Sequence, residues 1–329
     1  MRWEGRRAVL AAVVLLTLVA GFLLPSVLLA QPKYPIRPIT LIVPWAAGGG
    51  TDRISRMVAV LLERELGTPV TVVNRTGGGG AVGHTAGATA TPDGYTITMV
   101  TVEIAMMHWL GLAKVNYKDF RPVALLNFDP AGISVSATAP WKTYRELHEY
   151  IRANPGKLKA SGTAAGGIWD LARAGWLKAA GFPTDAVRWV PSTGAAPALA
   201  ELVAGGVDIV TASLPEAAPL IAAGKVRPLA IMADKRDPMF PDVPTLKELG
   251  INWSVGAWRG IAVPKFTPTN VVNVLEKALA KVVENPEFKD FMQKNGFGIL
   301  YKPAKEFAKF MEEQDRLMGQ LMKEVGLAK

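Results

Sequence analysis

Ile39-Thr40-Leu41-Ile42-Val43-Pro44-Trp45-Ala46-Ala47-Gly48-Gly49-Gly50-Thr51-Asp52 carries an apolar strand through a glycine turn into a helix. From Asp52 onward Ile54, Met57, Val58, Leu61, Leu62 and Leu66 recur at helical spacing, and Gly67 closes the helix. Two further segments repeat the arrangement. Residues 70–73 run into Asn74-Arg75-Thr76-Gly77-Gly78-Gly79-Gly80 and a small-residue helix over 81–90. Leu158–Ser161 runs into Gly162-Thr163-Ala164-Ala165-Gly166-Gly167, and the helix after it places Ile168, Leu171, Ala172, Gly175, Trp176 and Ala179 on one face. Glycine admits positive φ and lets a ligand approach the main chain closely. A helix opening after such a turn presents unpaired N–H groups and a partial positive charge. Three such turns predict a site in which backbone amides hold an anion.

Working outward, Pro92-Asp93-Gly94 turns into a strand over 95–100, so the chain alternates strand and helix from residue 39. That alternation means an α/β fold built on mostly parallel sheet. A second alternating block begins near Gly132. It has a helix over 144–154, strands at 187–190, 207–211 and 227–232, and a helix after Pro191-Ser192-Thr193-Gly194 with Leu199, Leu202 and Val203 inward. The chain then passes Pro238, Pro241 and Pro244, reaches Trp258-Arg259-Gly260, and ends in helices over 268–284 and 303–325. The Phe and Met stripe of the last helix reads as core packing. This order predicts one lobe from 31–130 plus 257–329 and another from 131–256. Two chain crossings make a hinge, and a hinge between α/β lobes makes a cleft.

Residues 1–30 stand apart. Arg2, Arg6 and Arg7 precede an apolar run from Ala8 to Leu24, then Pro25-Ser26, with Ala30 as a small residue for cleavage. That is the layout of a secretory signal peptide; left uncleaved, the run would serve as an anchor. The chain is therefore expected to be exported. The chain has no cysteine, which removes disulfides, zinc–thiolate sites and thiol catalysis together. Its formal charge of +9 becomes +7 without the leader. The basic residues are scattered, which argues against nucleic acid and suits the approach of small anions. His84, His108 and His148 lack metal-ligand spacing, so no metal or cofactor is expected.

The ordered set of motifs resembles the solute-binding proteins of tripartite tricarboxylate transporters, the Bug family. The stretches that carry the resemblance are the first two glycine turns with their flanks, Pro92-Asp93-Gly94-Tyr95-Thr96, Ser161-Gly162-Thr163, Gly194-Ala195-Ala196-Pro197-Ala198-Leu199, Gly224-Lys225-Val226-Arg227-Pro228-Leu229-Ala230, Pro241-Asp242-Val243-Pro244-Thr245 and Trp258-Arg259-Gly260. The resemblance implies a two-lobed type II periplasmic-binding fold. Such a protein resides in the periplasm, closes over a small organic acid, delivers it to the membrane subunits of a transporter, works as a monomer and is no enzyme. It also implies that main-chain amides and bridging water hold the ligand carboxylate. Carried over by motif, Ala47, Gly48, Gly49, Gly79 and Gly80 come from the first lobe. Ser161, Gly162, Thr163, Gly166, Ser192, Thr193, Gly194 and Asp208 come from the second. Two positions depart from the family pattern: Asp170 stands where many members have His, and Thr101-Val102-Glu103 puts an acid where small polar residues are usual.

Several residues carry two readings. Asp52 reads as support for the first turn, because an acid aimed at an anion would repel it. Ser161 and Thr163 can donate to a carboxylate or cap the following helix. Glu103 is either a mouth residue or, facing the cleft with Thr101, a partner for an amine or hydroxyl of the ligand. Trp45, Trp109, Trp169 and Trp258 are core or an aromatic wall. The rival class is a dinucleotide enzyme, since Gly78-Gly79-Gly80-Ala81-Val82-Gly83 fits G-x-G-x-x-G and Glu103 follows at twenty residues. The leader, the lengthened turn and the lack of a catalytic constellation oppose it. An exported sensor of the same fold is the nearer alternative to a transport role.

Overall fold

The computed structural model describes residues 34–328. The leader read from residues 1–30 lies outside the described residues. The strand of the opening stretch is β1 (Ile39–Val43), an almost wholly buried run. It pairs in parallel with β2 (Val70–Asn74) on one side and β3 (Thr96–Thr101) on the other. Between them run α1 (Gly50–Leu66) and α2 (Ala81–Ala88). Helix α1 buries Ile54, Val58, Leu61 and Leu62 and ends where Gly67 turns left-handed at φ 64°.

The first sheet is completed by β4 (Phe120–Pro130), β10 (Gly256–Pro264) and β11 (Ile299–Pro303), in the order β11-β4-β10-β3-β1-β2. The second sheet contains β5 (Gly132–Ser136), β6 (Leu158–Ser161), β7 (Val187–Trp189), β8 (Ile209–Val210) and β9 (Val226–Ile231), ordered β7-β6-β8-β5-β9. Its helices are α3 (Tyr144–Ala153), α4 (Ile168–Ala179), α5 (Ala195–Ala204) and α6 (Leu214–Ala222). Helices α7 (Thr269–Glu284), α8 (Pro286–Lys294) and α9 (Ala304–Glu324) follow β10.

The α/β architecture expected from the sequence holds, but the sheets are mixed rather than mostly parallel. Parallel pairing is confined to β1, β2 and β3 and to β6, β7 and β8. Strands β4, β10 and β11, and likewise β5 and β9, pair antiparallel. The cause is the double passage of the chain between sheets. Strand β4 leaves the first sheet and becomes β5, and β10 returns beside β4, so one runs against the other. Main-chain bonds knit the passage, Ala131 N–H donating to Val255 O (2.9 Å) and Met232 N–H to Ala131 O (2.8 Å).

Candidate functional site

Three of the helices above begin at one place. The first turns of α1, α4 and α5 line a partly open cavity between the two sheets, through Gly50 and Thr51, Ile168 and Trp169, and Ala195 with its N-cap Gly194. The cavity lies beyond the carboxyl ends of β1 and β3, where open α/β sheets bind their ligands.

The glycine turns are held by a repeated device. Gly48 N–H donates to Asp52 Oδ2 (2.9 Å), and Gly166 N–H to Asp170 Oδ2 (2.8 Å), in each case a carboxylate four residues downstream. Each acid is then fixed by an arginine on its own helix: Arg56 Nε donates to Asp52 (2.9 Å) and Arg173 Nη2 to Asp170 (2.6 Å). Burial works to raise the Asp52 pKa, but the bonds from Arg56, Gly48 and Asn74 outweigh it and hold that carboxyl below its ordinary value. Asp52 therefore supports the loop, as read from the sequence. Asp170 does the same work in the second half.

The second turn is built differently. Gly77, Gly78, Gly79 and Gly80 all have φ between 56° and 121°, a run that only glycine adopts without strain. A Cβ on Gly79 would touch Leu112 and Ala164, and one on Gly80 would touch Trp45 and His84. This turn therefore abuts the third turn and backs the site without lining the cavity.

A chain of hydrogen bonds runs from the second turn across the cavity. His84 Nε2 accepts from Thr101 N–H (3.1 Å), which fixes Nδ1 as the protonated nitrogen donating to Gly80 O (2.8 Å). Thr101 Oγ1 accepts from Trp45 Nε1 (3.2 Å) and donates to Glu103 Oε2 (2.5 Å). Glu103 Oε1 then accepts from Ile168 N–H (3.3 Å) at the start of α4, on the second-sheet side. Burial pushes the Glu103 carboxyl up, while the bonds to both of its oxygens favour the ionised form.

A second buried group faces it. Arg259 of β10 pairs with Asp129 Oδ2 (2.5 Å) and Glu216 Oε1 (3.3 Å), and donates to Asn127 Oδ1 (2.6 Å) and Thr51 Oγ1 (2.9 Å). Burial raises both carboxyls and the guanidinium opposes the shift. Glu216, on α6, also accepts from Gly50 N–H (3.1 Å) at the start of α1. The prolines of α6 take part. Pro219 has no N–H for Pro215 O, and Arg53 Nη1 of α1 donates to that oxygen instead (3.3 Å).

Of the residues expected from the sequence, Gly49, Thr101, Glu103, Thr163 and Gly194 line the cavity. Thr163 is buried and its Oγ1 has no partner among the described residues. The others stand outside the lining. Ala47 and Gly48 are exposed on the turn. Ser161 Oγ donates to Val190 O (2.7 Å) and Ser192 Oγ to Gly194 O (3.0 Å), so both hydroxyl protons are engaged by backbone carbonyls. Thr193 O accepts from Ala46 N–H across the cleft (3.4 Å), and Gly162 gives room to Trp169. Gly166 packs on Leu110. Asp208 Oδ2 is taken by Lys159 N–H (2.8 Å) and fixes strand pairing.

Trp45 and Trp169 do form cavity wall, whereas Trp258 packs edge-on against Phe307 and Phe310 in the core, and Trp109 lies on Gly319. Sequence reasoning missed Glu216 and Arg259. A single cation inside the uniformly buried strand β10 was the available signal for Arg259. Among the described residues there is no cluster of metal-ligating side chains, and no helix is long and apolar enough to cross a membrane.

Fold and site together define a two-lobed solute-binding protein, and comparison with known proteins agrees. Residues 54–327 match the model of the tripartite tricarboxylate transporter family receptor. The chain is similar to the periplasmic binding protein BugD, with 31% identity, TM-score 0.85, and 90% of this chain and 100% of that one covered. It is similar to MatC from Rhodopseudomonas palustris with bound malate, at 29% identity and TM-score 0.81 over 88% and 99% of the two chains. It is also similar to R. palustris Rpa4515 with adipate, at 27% identity and TM-score 0.85 over 90% and 99%. The chain belongs to the tripartite tricarboxylate transporter receptor family.

Proposed function

We propose that this protein is an exported, periplasmic receptor that closes over a small organic carboxylate and delivers it to the membrane subunits of a tripartite tricarboxylate-type transporter. The lobes are 31–130 with 257–329, and 131–256; they move about the paired crossings, and the protein acts as a monomer without catalysis. One observation carries the reading: three helix N-termini and the partnerless Thr163 hydroxyl meet in a single cavity between the sheets. Convergent N–H groups and dipoles reward negative charge, which is what a carboxylate offers. The malate and adipate held by two similar proteins support the same chemistry.

The ligand carboxylate is assigned to the N-terminus of α5, at Gly194 and Ala195, with Thr163 Oγ1 as a further donor. A thermal-shift screen of organic acids beside their methyl esters tests the function. An acid at 100 times its dissociation constant adds about 2.7 kcal/mol of stability, a clear rise in melting temperature, and its ester adds far less. Esters that stabilise as much as the acids would contradict carboxylate capture, as would a flat response to every acid.

A further inference from the structure

Two of the three helix N-termini at the cavity are already served by carboxylates of the protein itself. Glu103, from the first-sheet side, takes Ile168 N–H of α4. Glu216, from the second-sheet side, takes Gly50 N–H of α1. Each half thus supplies the anion for a helix of the other, and both side chains are at most 5% exposed. The two acids differ in what balances them. Arg259 pairs with Glu216 and with Asp129 behind it. Among the described residues no contact ion pair reaches Glu103, and Arg259 acts on it only at a distance.

This leaves one place for a ligand carboxylate, the start of α5 beside the Thr163 hydroxyl, which is buried, partnerless and part of the same cavity wall. A second carboxylate on the ligand would meet a wall in which the protein has already installed its own. A hydrogen-bond donor would meet the reverse. The Glu103 carboxylate accepts from Thr101 Oγ1, from Ile168 N–H and from its own backbone N–H, while a carboxylate offers about four acceptor positions, so one remains for a ligand donor.

We propose that the site takes a monocarboxylate whose other end carries an N–H donor, an ammonium or an amide, and that Glu103 is the specificity-determining residue that accepts from it. The inference rests on the carboxylate-capture reading and narrows it. MatC and Rpa4515 hold malate and adipate, which are dicarboxylates, and this site is expected to disfavour that class.

Calorimetric titration of the mature protein with length-matched triads tests it: the linear dicarboxylates of four to six carbons, the monoamide of each, and the ω-amino acid of each. At the best length, the amide and the amino acid are expected to bind about tenfold or more tightly than the dicarboxylate, because a buried like charge is costly. In Glu103→Gln the amino acid should weaken by about tenfold and the dicarboxylate strengthen by a similar factor, with the amide changing by less than about threefold. A dicarboxylate that binds as tightly as its amide and amine in the parent protein overturns the inference, whether or not the variant folds. So does a rank order unchanged in a folded Glu103→Gln. In both cases carboxylate capture survives. If none of the nine compounds binds, the inference falls as well, and the acid–ester screen then decides whether carboxylate capture falls with it.

Discussion

His84 ties the second glycine turn to the end of β3, and it does so only as a neutral ring. Its Nε2 accepts from Thr101 N–H, so a proton there would oppose a fixed donor, and burial lowers its pKa from 6.5 to about 4. The unfolded chain therefore binds a proton between pH 6.5 and 4 that the folded one refuses. Stability should be complete above pH 6.5 and fall as the pH drops toward 4, by an amount on the order of 3 kcal/mol. Urea unfolding from pH 7 to pH 4 measures the slope. His84→Gln should flatten it, and an unchanged slope would exclude His84 as its source.

Arg259 makes the opposite case, a charge that must stay. Arg259→Met leaves Asp129 and Glu216 buried without their cation and should cost about 3–5 kcal/mol by urea unfolding. A loss below about 1 kcal/mol would mean that the acids are neutral without it. At this scale the sequence was legible where a residue sits in a motif. Asp52 could be assigned to its turn, and Glu103 stood out as an acid at a strand end. Glu216 could not be found, because its partner Arg259 lies 43 residues away and no local pattern joins them.

The elements show why some segments were readable and others were not. Strand β1, helix α1 and the glycine turns advertise themselves by period and punctuation. Strand β4 contains Pro122 and Pro130, which argue against a central strand. It is nevertheless tolerated between β10 and β11, because a register shift between Ile261 and Ala262 of β10 falls where Pro122 pairs. Helix α6 contains Pro215 and Pro219, which hide it from a reading by period. The first lies in the opening turn, where no N–H is needed, and Arg53 takes the carbonyl that the second leaves free.

The N-cap of α1 lines the same cavity as the start of α5. This N-cap, Gly49, has φ −74° and ψ 170°, and a Cβ there meets only Ala46 O at 3.5 Å. Gly49→Asp therefore fits the backbone and caps the helix as well as glycine does, or a few tenths of a kcal/mol better. It also places a carboxylate in the cavity wall. The melting temperature should hold while carboxylate binding is lost in calorimetry. Unchanged affinity would remove the first turn from the site.

On the scale of the whole molecule, the two sheets meet across carboxylates exchanged between halves, Glu103 to α4 and Glu216 to α1. The presence of two α/β sheets could be inferred from the order of strand and helix signals. The mixed pairing could not, because the direction of β4, β5 and β10 depends on where the chain crosses and not on local composition. The same crossings bring Glu103 and Thr163 together from segments that look independent in sequence. The central claim is that a ligand carboxylate sits at the start of α5 with both interlobe carboxylate bonds in place. The most direct test is a crystal structure with the acid that stabilises the protein most. The expected result has that carboxylate within hydrogen-bonding distance of Ala195 N–H and Thr163 Oγ1, with Glu103 still on Ile168 and Glu216 still on Gly50. A carboxylate seated elsewhere, or one that has displaced Glu103 or Glu216 from its helix, would contradict the account.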